Sequence, residues 1–417
     1  MSKRSGWLLG LAGLLLAGFL VACGTTYNPS SDGLVIVGSQ GSALLQSFSF
    51  SLVNGHISSV NNPVVDTSNE TCVLPGMPYN IVLDTAGQYA YAILQANQAC
   101  TSTQTGIVSF KVNADGTLAA PSTVVADPNP VALAMDTSGK YLFVAEGLLG
   151  LVNTYAISSG NLTPVPSTFN FSLPQGFNTP NIVALAPTPT TLPALVNGVQ
   201  TSACATGANN APTNEFLYAA DSINNVVYEF GVDMSTGALT NPTSHSSVEY
   251  WQTGTTPSGV AVDPCDRFVY VSNLQSNQIS GFTLCSVASS SPTSNCPLAD
   301  GTLNPIAGSP FTQTVGLGPG PLVVDPFGNH LYVLETRSNQ VLHFTIASQT
   351  GALTAKTAAS AGKGATSIAI RGDDNWLFVT NFTDATLSQY SIIPASGELS
   401  QLPAVQTDNE PWGLAVK

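Results

Sequence analysis

Charge is scarce in this chain. Only 8% of its 417 residues are charged, with 10 Lys and Arg against 24 Asp and Glu and only 4 His. The net charge of −14 comes with no basic stripe. A domain of that sign repels nucleic acid within a Debye length, which excludes nucleic acid as a partner. The seven cysteines and four histidines form no close-spaced ligand pairs, so no metal site is expected. The chain has no phosphate loop, no Ser/His/Asp grouping and no cysteine placed as a nucleophile, and it implies no cofactor. A long apolar run occurs only at the N-terminus. What the sequence holds in quantity is Ser, Thr and Asn, together with 37 Gly and 28 Pro, a composition suited to many short strands joined by turns.

Those strands repeat. An apolar strand opens at Pro78, Pro130, Pro180, Pro257, Pro319, Ala365 and Pro411, and a second begins near Tyr89, Tyr141, Phe216, Phe268, His330 and Trp376, with the remaining copy at Leu34. An aromatic follows nine residues after the polar residue that closes the second strand, as in Glu146 to Tyr155 and Asn381 to Tyr390. A turn of the type Thr-Gly-Ala-Leu or Ser-Gly-Glu-Leu recurs further on. A period of roughly 45 to 50 residues with four short strands per unit is a propeller blade, and seven units make seven blades. The fold class is therefore all-β, a seven-bladed β-propeller spanning residues 33–417. Residues 410–417 form a first strand lacking a second, and Leu34 to Val37 form a second lacking a first, so the C-terminal strand is expected to pair with the N-terminal strands and close the ring.

Lys3 and Arg4 precede an apolar run from Trp7 to Leu20, which is below spanning length and ends in Leu20-Val21-Ala22-Cys23. That ending resembles the bacterial lipobox. The resemblance implies a signal peptide over 1–22, lipidation of Cys23, a tether to residue 32, and an exported protein anchored to a cell-envelope membrane, the outer one where the host has two. Six further cysteines are an even number for an exported chain. The blade geometry favours the pairs Cys72–Cys100, Cys204–Cys265 and Cys285–Cys296.

Phe268-Val-Tyr-Val-Ser-Asn273, Trp376-Leu-Phe-Val-Thr-Asn381 and Pro257-Ser-Gly-Val-Ala-Val-Asp-Pro264 resemble the YVTN-type repeat of the lactonase family of seven-bladed propellers, which includes 6-phosphogluconolactonase-like and muconate-cyclising enzymes. The resemblance covers nearly all of the chain after residue 33. It implies a site on the face formed by the turns after second strands and the loops before first strands. That face carries Glu146, Asp221, Asn273, Glu335 and Asn381 at equivalent blade positions, with Asn80, Asn181, Ser258 and Trp412 nearer the channel.

Lactone opening needs a base for water and a cation or donor cluster for the oxyanion. Arg337 and Lys363 fall in neighbouring loops beside Glu335, so this trio is the candidate catalytic group. The other reading of the residues that close the second strands is scaffolding, since Asn and Asp bond readily to a following turn. Equivalent ring positions diverge outward, which argues against one calcium ion shared among the acids. His245 alone among the histidines lies in a loop leading to this face. With so few cations, a phosphorylated lactone is disfavoured. Two functions remain. One is a lipid-anchored propeller whose polar face and insertions, 188–214 and 286–300, bind a protein or glycan. The other is a hydrolase of a neutral or weakly charged lactone.

Overall fold

Each blade begins where the repeat places it. The computed structural model describes residues 32–60, 77–96, 105–121, 125–147, 149–166, 175–189, 215–241, 248–285, 300–312 and 317–417. Their regular structure is all β, in seven antiparallel sheets. First strands open at Pro130, Pro257, Pro319, Ala365 and Pro411 as expected, at Met77 one residue early, and at Ile182 two residues after Pro180. In blades four, five and six, whose first strands are Ile182–Pro187, Pro257–Val262 and Pro319–Val324, the outermost strand is broken into two short pieces. Blade one is closed by the chain ends. Pro411–Val416 pairs antiparallel with Asp32–Ser39, in the register Val35↔Val416 and Val37↔Leu414.

The Tyr-Leu-Phe-Val pattern is explained by burial on both sides. A second strand lies between two neighbouring blades, so both of its faces are apolar; Leu142, Phe143 and Val144 are all fully buried. The result is seven apolar clusters, one between each pair of successive blades, rather than one central core. Each large side chain so buried stabilises the ring by about 1.5–3 kcal/mol. The recurring Gly of the hairpin turns also has a specific task. Tyr218, Tyr270 and Tyr332 each donate a hydroxyl hydrogen bond to a turn carbonyl of the next blade, at Gly301, Gly351 and Gly397, over 2.5, 2.8 and 2.7 Å. Those glycines have φ of 85°, 71° and 71°, a region L-residues with a Cβ avoid.

The inner strands pack against one another all round the ring. Every ladder between a first and a second strand shifts register near the same end. A bulge re-aims the residue it skips. The skipped residues are Trp412, Tyr79 with Asn80, Val131, Val183, Ser258, Gly320 with Pro321, and Thr366. That end is here called the upper face, and it is the one the sequence reading selected.

The insertions leave from the other face. The described ends of 188–214 lie between the first and second strands of blade four, and those of 286–300 between the third and fourth strands of blade five. Both junctions are at the lower face, so the grouping of these insertions with the candidate site is corrected by the topology. Cys265 and Cys285 are buried at that face and each is disulfide-bonded. Cys204 and Cys296, both members of Cys72–Cys100, Cys23 with the leader and tether, and His245 lie outside the described residues.

Candidate functional site

The residues that close the second strands are turned into their own blades. Asn381, fully buried, donates to Thr386 and Ser388 hydroxyls at 2.9 Å each and accepts the Gly362 N–H at 3.0 Å. Asn273 donates to the Gln278 carbonyl and the Ser280 hydroxyl at 3.2 and 3.1 Å. Asp221 accepts the backbone N–H groups of Asn181 and Ile223 at 3.0 and 2.9 Å, and the Tyr228 hydroxyl at 3.2 Å. Asn181 in turn donates from its amide to Ser222. These contacts brace turns against strands.

Glu146 differs in having an acidic neighbour that sequence reading missed. Asp127 sits where blades five and seven hold Gly254 and Gly362, three residues before the first strand. Asn153 donates to both carboxyl groups, at 2.6 Å to Glu146 and 3.3 Å to Asp127, and the Tyr155 hydroxyl donates to Asp127 at 2.9 Å. Burial, reinforced by the Asp127 charge, pushes the Glu146 carboxyl up to about 7.

The trio of Glu335, Arg337 and Lys363 is not assembled. Glu335 is fully buried and accepts a 3.2 Å hydrogen bond from Ser338, whereas Arg337 and Lys363 are exposed. No ion pair joins Glu335 to either cation among the described residues. Burial does raise the Glu335 carboxyl to about 7. No cluster of three or more His, Cys, Asp or Glu among the described residues is arranged to hold a metal ion.

A different part of the upper face is open. In blades four to six, the last residue of the turn after the second strand is Asn with positive φ: Asn225 at 58°, Asn277 at 51° and Asn339 at 54°. Each side-chain oxygen accepts the N–H just before the next blade's first strand, at Thr256, Gly318 and Gly364, over 2.8, 2.9 and 2.9 Å. In blade seven the same position is Ala385 at 52°, and in blade one it is Ala43 at 47°. Neither has an amide to offer.

Where Ala385 replaces Asn, a depression of about 480 Å³ lies between blades seven and one, lined by Gly41, Phe382, Thr383, Ala385, Asn409 and Glu410. Beside it Trp412 stacks on Tyr79 with centroids 5.1 Å apart and rings 24° from parallel, and meets Phe382 edge-on at 5.6 Å. All three rings are only partly buried. Sequence reading found Trp412 but missed Tyr79 and Phe382. The available signal was an aromatic following the strand-opening Pro78 and another following Asn381.

Seven bulged, four-stranded blades in a closed ring, with an aromatic-edged depression on the upper face, define a β-propeller. The chain belongs to the lactonase family of seven-bladed β-propellers, whose sequence profile, Lactonase, 7-bladed beta-propeller, matches residues 67–181, 183–289, 208–368 and 296–416. Among solved structures it is similar to a candidate 6-phosphogluconolactonase of Bacteroides fragilis (TM-score 0.67, 17% identity, covering 94% of this chain and 99% of that one). It is also similar to the periplasmic gluconolactonase PpgL of Pseudomonas aeruginosa (TM-score 0.66, 16% identity, covering 93% and 99%). At such identities the likeness is one of fold. No curated protein matches the sequence.

Proposed function

We propose that this is an exported, lipid-anchored propeller that binds a neutral, ring-shaped ligand, a sugar unit of a glycan, on its upper face between blades seven and one. The observation that carries this is the Tyr79–Trp412–Phe382 cluster at the rim of the depression. Aromatic faces hold the apolar side of a sugar ring, while Thr383, Asn409 and Glu410 supply hydroxyl, amide and carboxylate partners that fix its orientation. The lipobox-like Leu20-Val21-Ala22-Cys23 supports export and anchoring. Titration of the purified protein with neutral oligosaccharides, followed by Trp fluorescence and calorimetry, tests this. Trp412→Ala is expected to weaken binding roughly two- to tenfold. Unchanged affinity in both Trp412→Ala and Phe382→Ala would remove the ligand from this site.

Hydrolysis of a neutral lactone is the second reading, favoured by the Glu335 carboxyl held near pH 7, where a general base is effective. It requires a movement that exposes Glu335. Turnover of a sugar lactone that disappears in Glu335→Gln would establish it over simple binding.

A further inference from the structure

The first described residue, Asp32, and Lys417 both lie at the lower face. Asp32 pairs with Ser51 at the start of its strand, and Lys417 bonds Leu34 through backbone N–H and C=O at 2.8 and 3.3 Å. Two residues beyond Ser51, Val53 is 90% exposed at the tip of the turn between the third and fourth strands of blade one. In the corresponding turn of blade seven Ile393 is 43% exposed, followed by exposed Pro394. The two turns belong to adjacent blades, and the first is packed on blade seven: a Cβ on Gly55 would fall 2.4 Å from Trp376 and 2.8 Å from Leu402. Nearby charges are Arg371 and Lys417 against Asp32, Asp373 and Glu398, a slight excess of acid. Arg371 pairs directly with Asp373.

We infer that this sector of the lower face, blades seven and one around Val53 and Ile393, rests on the lipid bilayer that holds the anchor, so that the upper face looks away from the membrane. The inference depends on the lipid-anchor reading. From Cys23 to Asp32 the chain spans at most about 30 Å, less than would let a propeller turn freely over its attachment point. A tether that short, entering beside a nearly bare Val and a partly bare Ile, presents those side chains to the interface first. Removing these apolar side chains from water favours the contact, and salt screens the slight acid excess from anionic lipid. Blades four and five, where the insertions depart, are across the ring, so the contact is local. The sugar-binding depression faces the medium, where a ligand too large to pass beneath the protein could reach it.

The test uses the full chain produced in a bacterial host and reconstituted in vesicles of phosphatidylethanolamine and phosphatidylglycerol. An environment-sensitive fluorophore is placed at Val53→Cys, at Ile393→Cys or, on the upper face, at Leu149→Cys, and quenching by nitroxide-labelled lipid is measured. Quenching is expected to be several-fold greater at positions 53 and 393 than at 149. Equal quenching, the reverse order, or none at 53 and 393 in a protein whose lipidated N-terminus is confirmed by mass spectrometry would overturn the orientation while leaving the anchor standing. An unmodified Cys23 would overturn the anchor and the orientation with it. Val53→Asp, which alters an exposed turn, is expected to lower quenching at 393 without affecting folding; unchanged quenching would count against lipid contact by Val53.

Discussion

Blades four to six and blades seven to one present the same upper face with opposite properties. In the first sector an Asn amide at the end of each turn bonds the incoming chain of the next blade, closing the surface. In the second, Ala385 and Ala43 stand at that position, and the surface opens into the depression beside Trp412. Alanine in the left-handed region is strained, whereas Asn adopts it readily. The open sector thus gives up local stability for access, and strain of this kind is found at functional sites. Buried acids divide in a similar way. Glu146, Glu215, Glu229, Asp325 and Glu335 belong to blades three to six, and Asp374 at the lower end of blade seven is the exception.

The largest expected effect comes from those acids. Burial raises Glu229 to about 9, Glu215 and Asp374 to about 8, and Glu146 and Glu335 to about 7, with like-charged neighbours contributing for all but Glu335. A carboxyl whose folded pKa is raised contributes stability that is fully present below its ordinary value and is lost as pH rises through the folded value. The melting temperature should therefore fall steadily from mildly acidic pH to pH 9. On the acid side His343, lowered to about 4 by burial and by His330, and His330, lowered by burial, act with the opposite sign. They must stay neutral, and stability is lost as pH falls below their ordinary value of about 6.5. The five raised acids outweigh the two histidines above about pH 4.5, so a maximum at about pH 4–5 is expected by calorimetry. Glu229→Gln should flatten the alkaline slope, since both of its carboxyl oxygens lack a hydrogen-bond partner among the described residues. An alkaline slope identical to that of the parent protein would show that this carboxyl is not the group responsible.

Next in size is the staple itself. Asn339→Ala removes the bond to the Gly364 N–H and puts alanine in the left-handed region, at a cost of about 1–3 kcal/mol in chemical denaturation. The converse change is smaller in stability and larger in function. Ala385→Asn supplies an amide oxygen to the Glu410 N–H, stabilises the protein by up to about 1 kcal/mol, and narrows the depression, so that oligosaccharide binding is weakened. Undiminished binding in a stabilised Ala385→Asn variant would separate the depression from the ligand.

The architecture was legible because a blade is a local pattern. Pro-opened strands, Tyr-Leu-Phe-Val cores and Gly turns each have a physical job that a linear sequence displays, and the ring closure followed from the incomplete blade at each end. The site was less legible because it depends on which residue is missing from a repeated position. Ala385 says nothing alone and becomes informative only when compared with Asn225, Asn277 and Asn339. Asp127 was missed for the same reason, since its meaning comes from the glycines it replaces in other blades. The Glu335 trio failed on direction. Adjacency in loops puts backbones together, but it does not determine that a strand-end carboxyl turns inward while its neighbours turn to solvent.

That inward turn can be tested at the smallest scale. Ser338 donates the hydrogen bond that Glu335 accepts and partly offsets the effect of burial on its carboxyl. Ser338→Ala should raise the Glu335 carboxyl further, read as a small upward shift in its titration by NMR, with a stability change within about 1 kcal/mol. If the protein only binds, affinity for a neutral sugar at the Trp412 sector is unaffected, because among the described residues the Ser338–Glu335 side-chain bond involves no residue lining the depression. If Glu335 is a base, the pH profile of turnover must move by the same amount as the titration. A profile that stays fixed while the carboxyl shifts would leave Glu335 as one more strand-end residue bracing its turn.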